Sequence, residues 1–388
     1  MVVKIYKMRG LMKGLSLFFA VIGVTATVVV LFLMLTNFTA ITTLFSVLGL
    51  VNTQSLYESD SAGLIGGATS GVVASLEDPY SRYLDQQTWQ DLQIKLEAKF
   101  GGIGVYVLQD DNGRQKIVSP IKDTPAYAAG VKNGDIIIRI NGESIMNLSQ
   151  DEVVHQMRGE PGTQLLLSVY RESDGKEHEF KIIREIINVP SVDAKTLNEF
   201  PGIGYIKLNQ FHTQSAQEMA DSVNTLLGEK QIEGLILDLR DNGGGEFESS
   251  IAIASLFLDN DEEVVSVADN NNNENAYKAS GQSVDIPLVV LVNGNSASAS
   301  EILAGALQDN KRAVLVGEQT FGKGLVQTIF QLPDGGALQL TTQKYFTPNG
   351  TDINKIGITP DYVVELTEQD TQDVQLQKAI ELIKKQIF

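Results

Sequence analysis

Residues 287–307 read PLVVLVNGNSASASEILAGAL, and the character of the chain changes twice along them. The first part, PLVVLVN, is apolar almost without interruption, the pattern of a strand buried on both faces. A short turn of small polar residues follows, and a helix is expected from about 298 to 310. A buried strand feeding a helix through a short turn is the repeating unit of a parallel α/β sheet. The same grammar recurs nearby. GYIKL precedes a helix near 214–229, GLILDLR precedes one near 247–257, and AVLVGE follows the helix near 298–310. Ligand sites in such sheets gather where strands end and helices begin. NGNSASASE (293–301) and DLRDNGGG (238–245) both lie at such junctions.

The chain has 388 residues, enough for two or three domains, and a formal net charge of −18 that argues against nucleic acid as a partner. It has no cysteine, which removes disulfides, thiolate metal sites and cysteine nucleophiles. Near the N-terminus, residues 14–35 are uncharged and mostly apolar, preceded by Lys4, Lys7, Arg9 and Lys13. At about 1.5 Å per residue this stretch spans a bilayer core, and the positive flank keeps residues 1–36 as a cytoplasmic arm and signal-anchor. A single-pass protein of the cell membrane with everything after residue 36 outside is expected. A cleaved signal peptide fits less well, because the run is long and no small-residue cleavage site follows it.

Residues 37–97 read as a helical region. From 98 to 185 the runs GGIGVYVL, KIVSPI, GDIIIRING, TQLLLSVYR and HEFKIIRE, with a helix at SQDEVVHQMRG, suggest a compact, partly open barrel. The α/β segment occupies 186–365, including a hairpin at 325–347 with PDGG as its turn. A helical tail follows at 366–388. The acidic stretch DNDEEVVSVADNNNNEN (259–275) lacks the Gly and terminal Glu spacing of a calcium loop and reads as a solvated loop. No metal or cofactor is expected.

Three serines at alternate positions, Ser296, Ser298 and Ser300, have two readings. They can serve as a polar turn capping the helix, or one of them can be a nucleophile, which needs a base and an oxyanion site. His155, His178 and His212 do not lie at strand ends beside this turn. Lys323 in TFGKGLVQ is the better base, since it follows the neighbouring strand and two glycines allow close backbone approach. To act, it must be neutral, which burial promotes. The alternative is a loop lysine in solvent. On a strand continuing from 323, Gln327 shares its face. The glycines after DLRDN can present N–H groups to an oxyanion, or simply form a helix-entry turn; the N–H of Ala299 is a second donor.

In this order, LEDPYSRYL (76–84), FGGIGV (100–105), PAYAAGVKNGDIIIRING (125–142), MRGEPGT (157–163), DLRDNGGG, VNGNSASASEI (292–302), GEQTFGKGLVQ (317–327) and GITPD (357–361) resemble the C-terminal processing peptidases, the tail-specific serine proteases. The resemblance implies a multidomain α+β and α/β fold: an N-terminal transmembrane helix, and a PDZ domain ahead of a crotonase-like serine protease core. It further implies Ser298 as nucleophile, Lys323 as general base, Gln327 as the residue orienting the lysine, and backbone N–H groups of Ala299 and of Gly243 or Gly244 as oxyanion donors. In the PDZ-like segment, Ile103, Gly104 and Val105 would face a terminal carboxylate, and Arg158 is a hypothetical link to the active site. The expected partners are proteins or peptides with accessible C-termini, and the bilayer through 14–35. By analogy with relatives, 38–97 and the tail could form a homodimer surface. A PDZ adaptor without catalysis is the rival reading. Acyl-CoA chemistry on a related architecture is disfavoured by export past the membrane.

Overall fold

The computed structural model describes residues 23–25, 27, 38–58, 60–110, 112–367 and 370–387. Apart from 23–25 and 27, the 14–35 segment read as an anchor lies outside the described residues; among these no helix is long and apolar enough to cross a membrane. The chain divides into two compact units, Met1–Tyr83 and Leu84–Phe388. In the first, residues 38–54 are helical and α1 spans Ser61–Ala74, its start capped by the Asp60 carboxylate.

The second unit begins with α2 (Gln86–Glu97) and β1 (Lys99–Gly102). Five antiparallel strands follow in spatial order β2 (Val105–Gln109), β3 (Gln115–Pro120), β4 (Ile136–Ile140), β5 (Gln164–Arg171) and β6 (Lys176–Ile183). They close around Ile117, Ile137, Leu165, Leu167 and Val169, with α3 (Pro125–Ala128) and α4 (Gln150–Met157) packed alongside. A reciprocal cap starts α4: Ser149 N–H donates to Glu152 Oε2 at 2.7 Å and Glu152 N–H to Ser149 Oγ at 3.3 Å. β7 (Glu185–Asn188) pairs antiparallel with β1, so the chain enters and leaves this sheet side by side. The expected five strands and one longer helix are all present.

The chain then runs through β8 (Val192–Leu197), β9 (Phe200–Leu208), α5 (Ser215–Gly228), β10 (Gly234–Asp238), α6 (Phe247–Ala254), β11 (Glu263–Asp269), β12 (Glu274–Lys278), β13 (Leu288–Val292), α7 (Ala299–Asp309), β14 (Val314–Gly317), β15 (Leu325–Gln331), β16 (Ala337–Phe346), β17 (Tyr362–Val363) and α8 (Val374–Ile387). Six of these strands form a sheet in the order β8-β9-β10-β13-β14-β17, parallel except for the first pair. Alternate residues of the buried strands serve opposite faces. Leu235, Leu237, Val290 and Val292 pack with α5, α6 and α7, while Ile236, Val289 and Leu291 pack with α8.

The structure changes two expectations. The 366–388 segment is part of the core, because Ala379, Leu382 and Ile383 of α8 cover the second face of the sheet. The helix is pinned at its start by Arg240, whose guanidinium bonds both Asp238 and Asp373 and reaches Gln375 Oε1 at 3.0 Å. Burial opposes the Arg240 charge, but the hydrogen bonds to the two carboxylates outweigh it and hold the group above its ordinary value. Second, 259–275 is not a loop. It contains β11 and the start of β12, a hairpin whose turn is closed by the Asp269 carboxylate accepting from Asn271 and Asn273 N–H groups. Val264, Val265 and Val267 are buried, which is what β-branched residues gain from a strand despite acidic neighbours.

Candidate active site

The junction between β13 and α7 is strained where the chemistry is expected. Ser298, immediately before α7, has φ 57° and ψ −116°, a backbone conformation that costs a non-glycine residue about 1–3 kcal/mol. It is held from several sides. Ser298 N–H donates to Glu301 Oε2 at 2.9 Å, and its carbonyl accepts from Glu301 and Ile302 N–H groups at 2.8 and 3.0 Å. The flanking serines stitch the turn to the neighbouring loop: Ser296 Oγ donates to Leu239 O and Ser300 Oγ to Asn242 O, both at 2.8 Å.

Glu301 is fully buried and organises the site. Its Oε1 accepts from Thr320 Oγ1 at 2.5 Å and Gly322 N–H at 2.7 Å, while Oε2 accepts from Ser298 N–H and Lys323 N–H, both at 2.9 Å. One carboxylate therefore holds the main chain of Ser298 and of Lys323 together. Tyr345, also buried, places its hydroxyl 2.5 Å from Lys323 O and 3.2 Å from Ser298 O, a second bridge between the same two residues. The glycines around Lys323 allow this packing, since a Cβ at Gly322 would come within 2.8 Å of Gly357 N and one at Gly324 within 2.8 Å of Asn354 N. Glu301→Gln should lower kcat about 100-fold and stability by about 2–4 kcal/mol, because an amide NH₂ would face N–H donors in a buried site. Steady-state kinetics and a denaturant melt check both.

The glycine run after β10 lies against this turn. Asn242, fully buried, donates its side-chain N–H to Leu208 O at 2.7 Å and accepts Gly244 N–H on Oδ1 at 2.9 Å. Its carbonyl accepts Ala297 N–H at 3.0 Å. Gly244 has φ +95°, and a Cβ there would fall 2.8 Å from Ser298 Cβ and 2.9 Å from Ala299 N. Only glycine leaves open the space in front of the Ala299 N–H. A Cβ at Gly243 would meet nothing within 4 Å.

Ser298, Ala299, Lys323, Gln327 and glycines 243–245 all line one cavity of about 590 Å³. Its other walls come from Leu92, Lys95 and Leu96 of α2, Phe247 of α6, Ile302 of α7 and Tyr345. Lys323 is half-buried. Gln327 Nε2 bonds Leu325 O at 3.3 Å and Thr341 Oγ1 at 3.4 Å. None of the histidines lines the cavity; burial holds the His212 imidazole below its ordinary value, and His178 pairs with Asp174 at 2.8 Å.

A second cavity, about 240 Å³, runs between β2 and α4 and is lined by Ile103, Gly104, Val105, Val154, Met157 and Arg158, among others. The carbonyls of Ile103 and Gly104 are taken by Ala126 and Ile121 N–H groups at 2.8 and 2.9 Å. Gly104, at φ +79°, has Thr124 where a Cβ would go. Arg158 stacks on Phe100 at 5.0 Å and bonds Asp91 Oδ1 at 3.0 Å. Asp91 belongs to α2, the helix that walls the first cavity.

Residues 202–364 match peptidase family S41, 116–171 match the PDZ domain, and 36–88 match the N-terminal domain of the activating protease CtpB. The chain is 41% identical over 321 residues to the carboxy-terminal-processing protease of Bartonella bacilliformis, covering 81% of this chain and 73% of that one. It belongs to the S41 peptidases. It is a carboxy-terminal processing serine protease with a PDZ domain. The carboxyl-terminal-processing protease of Synechocystis is 38% identical, covering 81% of this chain and 76% of its own. Among solved structures, the photosystem II D1 C-terminal processing protease matches with a TM-score of 0.50 at 29% identity, covering 86% of this chain and 90% of that chain. Membership in this family removes the adaptor reading.

The residues singled out from sequence converge: Ser298, Ala299, Lys323, Gln327 and the glycine pair share the first cavity, and Ile103, Gly104, Val105 and Arg158 share the second. Glu301, Tyr345 and Asn242 were missed. Glu301 had a signal, since Ser298 followed three positions later by Glu is a helix-start pattern. Tyr345 had none, because its partners lie 22 and 47 positions away.

Proposed function

We propose that this protein cleaves polypeptides by a Ser298/Lys323 dyad through an acyl-enzyme. Neutral Lys323 takes the Ser298 Oγ proton as Oγ bonds to the scissile carbonyl carbon. The tetrahedral oxyanion accepts from the Ala299 and Gly243 N–H groups, Gly244 N–H being committed to Asn242. Lys323 then passes its proton to the leaving nitrogen, the C–N bond breaks, and water hydrolyses the ester with the same lysine as base. The Gln327 amide, tethered through Nε2 to Leu325 O, is the group that orients the lysine. The observation that carries this reading is that one buried carboxylate, Glu301, holds both Ser298 and Lys323 at the edge of one cavity.

The groove at Ile103, Gly104 and Val105 takes substrate C-termini, a free carboxylate meeting loop N–H groups while the tail lies beside β2. Arg158 reports occupancy of the groove to the catalytic cavity through Asp91 and α2. Residues 14–35 anchor the chain in the cell membrane with the catalytic unit outside, a reading supported by their apolar run and positive flank.

Detergent-solubilised full chain, wild type and Ser298→Ala, incubated with unstructured proteins that differ only in their C-terminal residues, tests both parts. Cleavage by wild type alone, varying with the tail, is the expected result; cleavage by Ser298→Ala would sink the nucleophile. In the same assay Arg158→Ala should flatten the dependence on the tail, and an unchanged dependence removes the link.

A further inference from the structure

The PDZ groove is closed at one end by a side chain of its own wall. β2 is the outer strand of its sheet, and no strand among the described residues pairs with its far edge. Gln150, the first residue of α4, reaches across to that edge: its Nε2 donates to Val107 O at 3.1 Å, and its Oε1 accepts from Gln109 N–H at 3.3 Å. These partners fix the orientation of the amide, because a carbonyl needs a donor and an N–H needs an acceptor. In an antiparallel pair, residues that turn both main-chain groups to the partner alternate with residues that turn both away. Val107 and Gln109 are of the second kind and face the groove. Between and beyond them, Gly104 O accepts from Ile121 N–H and Asp110 N–H donates to Arg114 O, at 2.9 Å each, so these residues face β3. The irregularity in this pair places its extra residue, Val118, on β3, and the alternation along β2 is unbroken. Val105 therefore faces the groove as well.

A tail that lies beside β2 with its carboxylate at Ile103, Gly104 and Val105 runs antiparallel to that strand, and antiparallel pairing repeats at every second residue. Its last residue lies against Val105, its third-last against Val107 and its fifth-last against Gln109. Gln150 thus holds the carbonyl that the third-last N–H would take and the N–H that the fifth-last carbonyl would take. A primary amide carries the same kinds of donor and acceptor as a peptide unit, which is why it fits there. The cavity ends at the same place: its lining stops at Val107 on β2 and at Val154 on α4. We infer that Gln150 is a latch, a stand-in for substrate main chain that a tail must displace before more than its last two residues can dock. This rests on the reading of the groove as the site for substrate C-termini, and it names what competes for that site. The consequence is a threshold. A tail extended as far as its fifth-last residue replaces both bonds that it breaks, whereas one extended only at its tip leaves the latch shut.

Binding of a fluorescein-labelled six-residue peptide ending in valine, which suits a groove lined by Ile103, Val154 and Met157, tests this on the detergent-solubilised full chain. Ser298→Ala serves as the common background, so that the probe is not cut. Adding Gln150→Ala should tighten binding about fivefold, because the tail no longer has two hydrogen bonds to break. A second peptide, N-methylated at its third-last nitrogen, cannot take the Val107 carbonyl, and for it the gain should fall below about twofold. Hydrogen exchange reads the latch directly. Without peptide, the Gln109 amide should exchange about tenfold faster in the Gln150→Ala protein than with Gln150 present, and it should slow again once the tail is bound. Equal or weaker binding by the Gln150→Ala protein would mean that Gln150 only braces α4, and overturns the latch; so does a gain that is the same for both peptides, or a Gln109 amide that exchanges equally fast in both proteins. Peptide that binds neither protein overturns the groove as a tail site and the latch with it, an outcome distinct from failure of the latch alone.

Discussion

Lys323→Arg should yield a folded enzyme whose kcat/KM for peptides is lower by about 10⁴-fold if Lys323 is the proposed base, because a guanidinium does not give up its proton near neutral pH. Lys323→Ala gives a comparable loss for a different reason, having no base at all. The two together separate charge from proton transfer: arginine supplies a fixed positive charge beside Ser298, and if charge alone mattered it would rescue. The backbone of residue 323 is held by Glu301 and Tyr345 through main-chain atoms, so neither replacement removes those contacts. Peptide hydrolysis measured with a thermal melt on each variant decides the matter. Activity within tenfold of wild type in either variant would exclude the dyad.

Gly244→Ala should cost about 10³-fold in kcat with little change in KM. The added methyl would stand 2.7 Å from Ala297 O and 2.9 Å from Ala299 N, in the space proposed for the oxyanion, and the φ of +95° strains any side chain there. Gly243→Ala makes the informative comparison. Nothing lies within 4 Å of a Cβ at 243, and alanine keeps the N–H, so this variant should lose far less. Rates of Ser298 labelling by a fluorophosphonate should follow the same order, since that reagent also develops charge on an oxygen. Equal kcat for the two variants would mean that the space beside Ala299 is not where the oxyanion forms.

The catalytic junctions were legible because each is a local pattern: a uniformly apolar strand, a short turn of small residues, then a helix. PLVVLVN and GLILDLR announce buried strands, and the serines and glycines stand at their ends. What sequence left hidden depends on contacts between distant segments. Gly243 and Gly244 were equivalent until Asn242 Oδ1 was seen to accept the Gly244 N–H. Thr320 is an unremarkable residue until its hydroxyl reaches Glu301. The 374–387 helix read as a tail because its apolar stripe carries no label for its partner, which is the far face of the sheet. In 259–275, acidic and asparagine residues obscured EVVSVAD, although its valines favour a strand.

The Glu301 carboxylate has a bearing on how such an enzyme can be kept quiet. With the N–H groups of Ser298 and of Lys323 on a single oxygen, 2.9 Å each, the main chain of the proposed reacting pair has no slack. Pulling it apart would expose an unmatched buried charge, a cost of several kcal/mol that a weak regulatory signal does not supply. Dormancy is cheaper to impose at the doorway. The α2 wall of the cavity is joined to the PDZ groove by the Asp91–Arg158 pair, which makes it the cheaper place for the proposed Arg158 link to act.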